Sequence, residues 1–477
     1  MSADEARGTT TLRSGSVRFL GTVGSAVGIQ APAGGVSFLP ALMAGIVGVA
    51  GPFAFGSAVI VMLFVAYAFV VFTREFASAG SVWAFCGRAV SPAYGFLCAW
   101  LLIFVYVAYA GSVFASNANG LVTLVAPSLL GGHGWLLFAA ALWVVTITLT
   151  RYSIRISTGL VILLELVSLI VVAVVAVAVV SHGGAGGDTV SRLSYHPFSP
   201  GSIPVATLGL GLVFAFTGFS GFEVAATLGE ESRAPTRIIP WAMVVALVVS
   251  GGVYTALSYV ETVAYKSPDA LAAAAEHGVP LATTATAFVG SGFGTAINVA
   301  AVISGFGAQL ATMNGATRLL FALARSRLAP APLAVTHPLH RTPTRALAVI
   351  AVATIGPVFA LYFRPPLQVF ADLATYGADV IVVAYLLTVL AAIAFTARRR
   401  PLRPIRLLLL VIGAVLMGYV IKTTVYPLPV QMPPRLYLEA AAATLLAGLA
   451  VVAVVRLRAP GRLTTASMLT TEPGPST

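Results

Sequence analysis

The chain has 477 residues, 58% hydrophobic and only 9% charged, with a formal net charge of +12. A soluble protein of this length needs far more charge to cover its surface, so a water-soluble fold is excluded. Apolar runs of about 20 residues or more recur throughout, each long enough for a hydrocarbon core of roughly 30 Å. They are continuous and do not alternate with period two, which predicts helices and excludes a β-barrel.

Residues 1–16 are polar and predict a cytoplasmic tail. The apolar stretch that follows runs too long for a secretory signal and lacks a clear cleavage site. Twelve spans are predicted, at about 17–48, 53–77, 92–124, 134–150, 154–180, 204–229, 237–264, 283–323, 344–362, 367–395, 404–423 and 435–456. The tail 459–477 is rich in Ser, Thr, Pro and Gly and predicts disorder.

The first span contains GIQAPAGGV, Gly28 to Val36. Pro32 removes a backbone donor and clashes with the preceding turn, while Gly34 and Gly35 free the backbone. The sixth span contains TGFSG, Thr217 to Gly221. Two interruptions five spans apart predict two inverted five-helix repeats, 17–182 and 204–396, each led by a broken helix. Residues 404–458 then form two additional helices. An unwound backbone at membrane depth is tolerated only where it lines a protein-enclosed cavity. Half-helix N-termini there suit a carboxylate, and unwound carbonyls suit an ammonium or another cation. Both ends together match a zwitterion, of which an amino acid is the simplest. Small residues also serve close helix packing, and Gly251, Gly252, Gly305 and Gly307 fit that reading.

The basic charge is placed asymmetrically. With the N-terminus inside, only Arg192, Lys266, Arg364, Lys422 and Arg435 of the 27 basic residues face outward. This positive-inside pattern puts both termini in the cytoplasm and makes the charge topological, with no nucleic-acid partner. Arg far outnumbers Lys and Ala is abundant, which points to a bacterial inner membrane.

Three carboxylates fall near mid-membrane: Glu165, Glu223 and Asp379. Such groups are costly in lipid and mark function by default. Glu223 follows the second break and fits two roles, an acceptor for loosened N–H groups or a protonation site coupled to gating. Glu165 shares a helix face with Ser168 and reads as a proton acceptor or an interhelix partner. Asp379 reads as a site for a cationic group or coupling ion, or as an interhelix hydrogen bond. Glu230 and Glu231, with Arg233 and Arg237, form either a solvated cluster or an inner latch opposed by Arg74 and Glu75. Cys86 and Cys98 have no metal or redox spacing. The six histidines fall in predicted loops, so no metal site is expected, and no HExxH, P-loop or GxSxG motif anchors an enzyme.

The run GFEVAATLGEESRAPTRIIPWA, Gly221 to Ala242, resembles the sixth span and following loop of amino acid–polyamine–organocation permeases. AGGVSFLPA, Ala33 to Ala41, is similar to that family's first-span motif. Arg74 to Trp100 and Asn314 to Leu347 resemble its second-to-third and eighth-span segments, so the likeness covers roughly residues 15–458. It implies an all-α membrane protein of twelve helices with the five-plus-five inverted repeat and broken first and sixth helices. It also implies that a substrate carboxylate meets backbone N–H groups of Ala33, Gly34, Gly35 and Val36. The amine would meet carbonyls among Phe216, Thr217, Gly218 and Ser220, Phe216 or Phe219 would cover the substrate, and Gln309, Thr312 and Met313 would line the pocket. Ser37 stands where the family motif usually has Phe. Thr217 and Thr312 stand where some cation-transporting members carry Trp, which argues against an arginine or agmatine exchanger. Ser168 stands where some proton-coupled members carry Lys.

The expected function is secondary active transport of an amino acid or related amine, with no cofactor and a proton as coupling ion. Exchange and Na⁺ symport are the alternatives. A channel would need a continuous polar pore, and a transporter-like sensor would lose the glycines and Glu223. Partners are a small-molecule substrate and the bilayer; the oligomeric state is not legible.

Overall fold

The computed structural model describes residues 15, 17–76, 81–129, 132–152, 154–185, 193–277, 279–399, 401, 403–426 and 434–458. Both predicted tails, apart from Gly15, lie outside the described residues, as do Arg192 and Arg400. In chain order the helices are α1 Phe19–Gln30, α2 Pro32–Gly35, α3 Leu39–Val47, α4 Gly51–Thr73, α5 Val82–Ala89 and α6 Pro92–Val125. Next come α7 Trp135–Tyr152, α8 Ile154–His182, α9 Val205–Phe219, α10 Val224–Thr227, α11 Pro235–Ala264 and α12 Pro268–His277. The last are α13 Pro280–Phe288, α14 Ser291–Arg325, α15 Thr344–Ala360, α16 Pro366–Ala397, α17 Pro404–Val425 and α18 Pro434–Arg458. Among the described residues the only β-type pairing is one parallel bridge between Val17 and Ser232.

Proline punctuates the chain. It stands at the first or second position of α4, α6, α11, α13, α16 and α17, where its missing N–H costs nothing and its fixed φ starts the helix. Ten helical stretches among the described residues are long and apolar enough to cross a membrane, and Thr344–Ala360 is a shorter apolar helix. The predicted span at 283–323 divides in the structure. Gly290, at φ +133°, separates α13 from α14. Side chains such as Leu137, Ile170, Val177, Val415 and Leu446 are 64–72% exposed, an apolar outer face that suits lipid and not water.

α4, α8, α11, α14 and α16 pack directly against the two interrupted helices. In α1–α3 the break begins at Ala31, at φ +39°. A residue before proline is driven out of the α region, and Pro32 provides that push. Val36 to Phe38 then form a turn before α3. In α9–α10, Ser220 is extended and Gly221 takes φ +102°, a conformation that L side chains rarely adopt. A Cβ on Gly221 would also stand 2.0 Å from Ile29 Cγ2, so the two breaks touch through that glycine.

Candidate functional site

The two breaks are stapled by one side chain. The Gln30 amide nitrogen donates to the Phe219 carbonyl at 2.8 Å, the orphan acceptor at the end of α9. Its amide oxygen accepts from Ser250 Oγ at 2.7 Å, and its backbone carbonyl accepts from the Tyr254 hydroxyl at 2.8 Å. Gln30 is 3% exposed, so all these bonds are made away from water. Nothing in the sequence had marked it beyond being the one amide in an apolar run.

A cavity opens beside the staple. Gln30, Ala31, Gly34 and Gly35 line it from the first break, and Thr217 and Ser220 from the second. α6 contributes a polar stripe, Tyr109, Ser112, Ser116 and Asn117, and α14 contributes Gly305 and Thr312. Phe38 and Phe370, with ring centroids 6.1 Å apart, stand at the wall. Among the described residues no charged side chain lines the cavity. Among the described residues, the buried Tyr109 hydroxyl and Asn117 amide nitrogen have no hydrogen-bond partner. Buried polar groups are nearly always bonded, so two orphans on one cavity wall point to a bound solute or water.

Of the residues singled out from sequence, Gly34, Gly35, Thr217, Ser220 and Thr312 line the cavity. Ala33, Val36, Phe216, Gly218, Phe219, Gln309 and Met313 do not. Phe219 packs edge-on against Phe55 and Tyr254, and Phe216 is fully buried. Gly218 is spent on packing: a Cβ there would meet Tyr254 Cζ at 2.9 Å. Met313 sulfur accepts from Thr354. Gln309 is fully buried, and neither amide atom has a partner among the described residues.

The backbone donors of the first break are already engaged. Gly35 N–H donates to Ala31 O at 2.7 Å and Val36 N–H to Pro32 O at 3.0 Å. Gly34 N–H donates to Ser304 Oγ at 2.9 Å. Ala33 N–H donates to Glu165 Oε1 at 2.9 Å, and Ser304 Oγ donates to Glu165 Oε2 at 2.6 Å. The carboxylate of Glu165 thus sits where an anion at this helix break belongs, tying α2, α8 and α14 together. Ser168 turns the other way and donates to the Ala300 carbonyl at 3.0 Å.

Glu223 holds the second break. It accepts from Tyr106 at 3.0 Å, from Tyr385 at 2.6 Å and from Gly221 N–H at 3.0 Å. These three contacts, one of them to the backbone of the turn itself, tie the Glu223 carboxyl to α6, to α16 and to Gly221. Asp379 lies apart from both, in a separate cavity between α16, α17 and α18. Glu261 on α11, which the hydropathy pattern does not single out, is fully buried as well, and neither oxygen has a partner among the described residues.

The latch charges pair otherwise than the sequence suggested. Glu231 meets Arg318 of α14 at 2.7 Å, both 3% exposed, and Arg318 also donates to the Asn314 carbonyl and side-chain oxygen. Glu230 pairs with Arg325. Glu75 pairs with Arg399, not across to this loop. The segment ahead of α1 joins in: Val17 N–H donates to Glu231 O at 2.9 Å and Arg233 N–H to Val17 O at 3.2 Å. Glu231 is therefore a buried ion pair, not a solvated one. Cys86 and Cys98 are buried free thiols, and the described residues hold no cluster of His, Cys, Asp and Glu fit for a metal.

Comparison with known proteins agrees with this architecture. Residues 18–448 match the family described as Amino acid permease. The low-affinity putrescine importer PlaP of Escherichia coli K12 is 26% identical over 336 residues, covering 68% of this chain and 71% of PlaP. The branched-chain amino acid permease BcaP of Bacillus subtilis is 26% identical over 321 residues, 62% of this chain and 64% of BcaP. The uncharacterized transporter Rv1999c of Mycobacterium tuberculosis is 36% identical over 135 residues, 28% of this chain and 30% of that protein. With its apolar helices, its two stapled helix breaks and a family match across most of its length, this chain belongs to the amino acid permease family and is a multi-pass membrane transporter, not an enzyme.

Proposed function

We propose that the protein is a secondary active transporter that moves an amino acid by alternating access, as a proton symporter with twelve spans in two inverted repeats and both termini in the cytoplasm. The observation that carries this reading is the cavity between two interrupted helices, lined from both breaks. The substrate carboxylate approaches Gly34 and Gly35 and replaces Ser304 as acceptor for the Gly34 N–H. The α-amine meets the backbone around Thr217 and Ser220. Asn117, Ser112 and Ser116 read the substrate side chain, and Phe38 and Phe370 cover it.

PlaP is named for a diamine and BcaP for branched-chain amino acids. The uncharged lining favours the second kind of solute. A diamine would bring two positive charges into a cavity with no carboxylate on its wall among the described residues, and unpaired buried charge is expensive. A zwitterion with a neutral side chain carries its own balance, which the two breaks match.

Glu165 is the coupling residue in this reading. It bonds donors from two other helical segments, so protonation would turn an acceptor oxygen into a donor and release one of them. The buried pair Glu231–Arg318 closes the cytoplasmic end. Purified protein in liposomes tests the scheme: an inward proton gradient should drive accumulation of labelled neutral amino acids, and a Na⁺ gradient should not. Accumulation on Na⁺ alone, or counterflow without accumulation, would reassign the coupling; no uptake under any of the three conditions would sink the transporter reading. Glu165→Gln should keep counterflow but lose proton-driven accumulation. Glu223→Gln should weaken substrate binding instead, because the amide nitrogen replaces one of the two acceptor oxygens and cannot accept from the tyrosine it faces.

A further inference from the structure

Asp379 lies within α16 and is 9% exposed, yet among the described residues its carboxylate has neither a hydrogen-bond nor an ion-pair partner. It faces a cavity of about 160 Å³ between α16, α17 and α18. The rest of the wall is apolar apart from Thr424, with Val383, Ile421, Leu438 and Leu445 typical of it. None of the described residues lines both this cavity and the one between the helix breaks.

The neighbouring charges do not serve Asp379. About two turns toward the N-terminus of α16, Asp372 is held by Arg364 and Tyr437. On α18, Glu439 is paired with Arg435. Tyr376 is bonded to Thr444. Lys422 of α17 is not part of the cavity wall. A carboxylate kept in an apolar hollow without a partner is costly unless a cation completes it. The hollow is of the right size: an apolar cavity of about 150 Å³ takes up a benzene molecule.

We propose that this cavity is a second binding site, for a small lipophilic ammonium compound whose charged end pairs with Asp379 and whose apolar body fills the space between α17 and α18. The site reports to the substrate cavity through a tight contact. Gly377, two residues before Asp379, packs on Tyr109 so closely that a Cβ would stand 2.7 Å from the ring. Tyr109 lines the substrate cavity. The site does not depend on which amino acid the transporter carries.

The test uses the full-length protein in nanodiscs, with benzylammonium as probe and benzyl alcohol as its neutral counterpart. Benzylammonium should bind, and Asp379→Asn should weaken it about tenfold or more, the worth of a charge-assisted contact. Benzyl alcohol should change less than about twofold on the same substitution. Ala441→Phe, which fills the cavity and keeps Asp379, should weaken both probes. Gly34→Leu, in the substrate cavity, should weaken neither. The proposal is overturned if benzylammonium does not bind, if it survives both Asp379→Asn and Ala441→Phe, or if Gly34→Leu removes it. Tighter binding of the alcohol than of the ammonium would also overturn it, since Asp379 would then be a neutral acid beside an ordinary apolar or acyl-chain site.

Discussion

Arg318→Met is expected to destabilise the protein by about 3–5 kcal/mol, because it leaves the Glu231 carboxylate buried without its cation. The pair is 3% exposed on both sides, so water cannot compensate. The double variant Arg318→Met with Glu231→Leu should recover most of that loss, since removing both charges removes the desolvation cost with the attraction. Thermal unfolding in detergent, followed for the single variants and the double variant, measures the coupling directly. The double variant carries a second expectation. If the pair closes the cytoplasmic end, it should bind substrate normally and yet hold a smaller gradient in liposomes. Equal stability of wild type and Arg318→Met would show the contact to be energetically idle.

Gln30→Leu should lower substrate affinity by about ten- to a hundredfold while the protein still inserts. The change strips the Phe219 carbonyl of its donor and the Ser250 hydroxyl of its acceptor. Each buried group left unpaired costs about 1–3 kcal/mol. That cost falls on the alignment of the two breaks, and a solute that must touch both feels it as lost affinity. Gln30→Glu discriminates this from simple loss of volume. It keeps the size and the acceptor for Ser250 but cannot donate to Phe219, so it should behave like the leucine variant. Near-normal binding by either variant would mean that the breaks are held in register by packing alone, through contacts such as Gly221 against Ile29.

The helix breaks were legible because their causes lie within a few residues of backbone. Pro32 forces Ala31 out of the helical region, and Gly221 supplies a positive φ, whatever else surrounds them. Membrane character, the placement of most helices and the burial of Glu165 and Glu223 followed from local hydropathy in the same way. The short helices α5, α12 and α13 did not show, because 8–10 residues carry too little apolar periodicity to stand out beside the long spans.

Partnership was another matter. Glu165 was known to be buried, but its bond to Ala33 joins residues 132 apart, and Arg318 was found by Glu231 across 87. Gln30 reaches Phe219 over 189 positions. On α6 the spacing of Tyr109, Ser112 and Ser116 defines a helix face, yet only the packing of α14 and α16 against α6 turns that face to the cavity and not to a neighbour. A residue's own chemistry and its immediate neighbours set whether the backbone bends and whether a side chain leaves water. Which group it then meets is settled by close packing of helices far apart in the chain, where a rotation of one residue exchanges every partner.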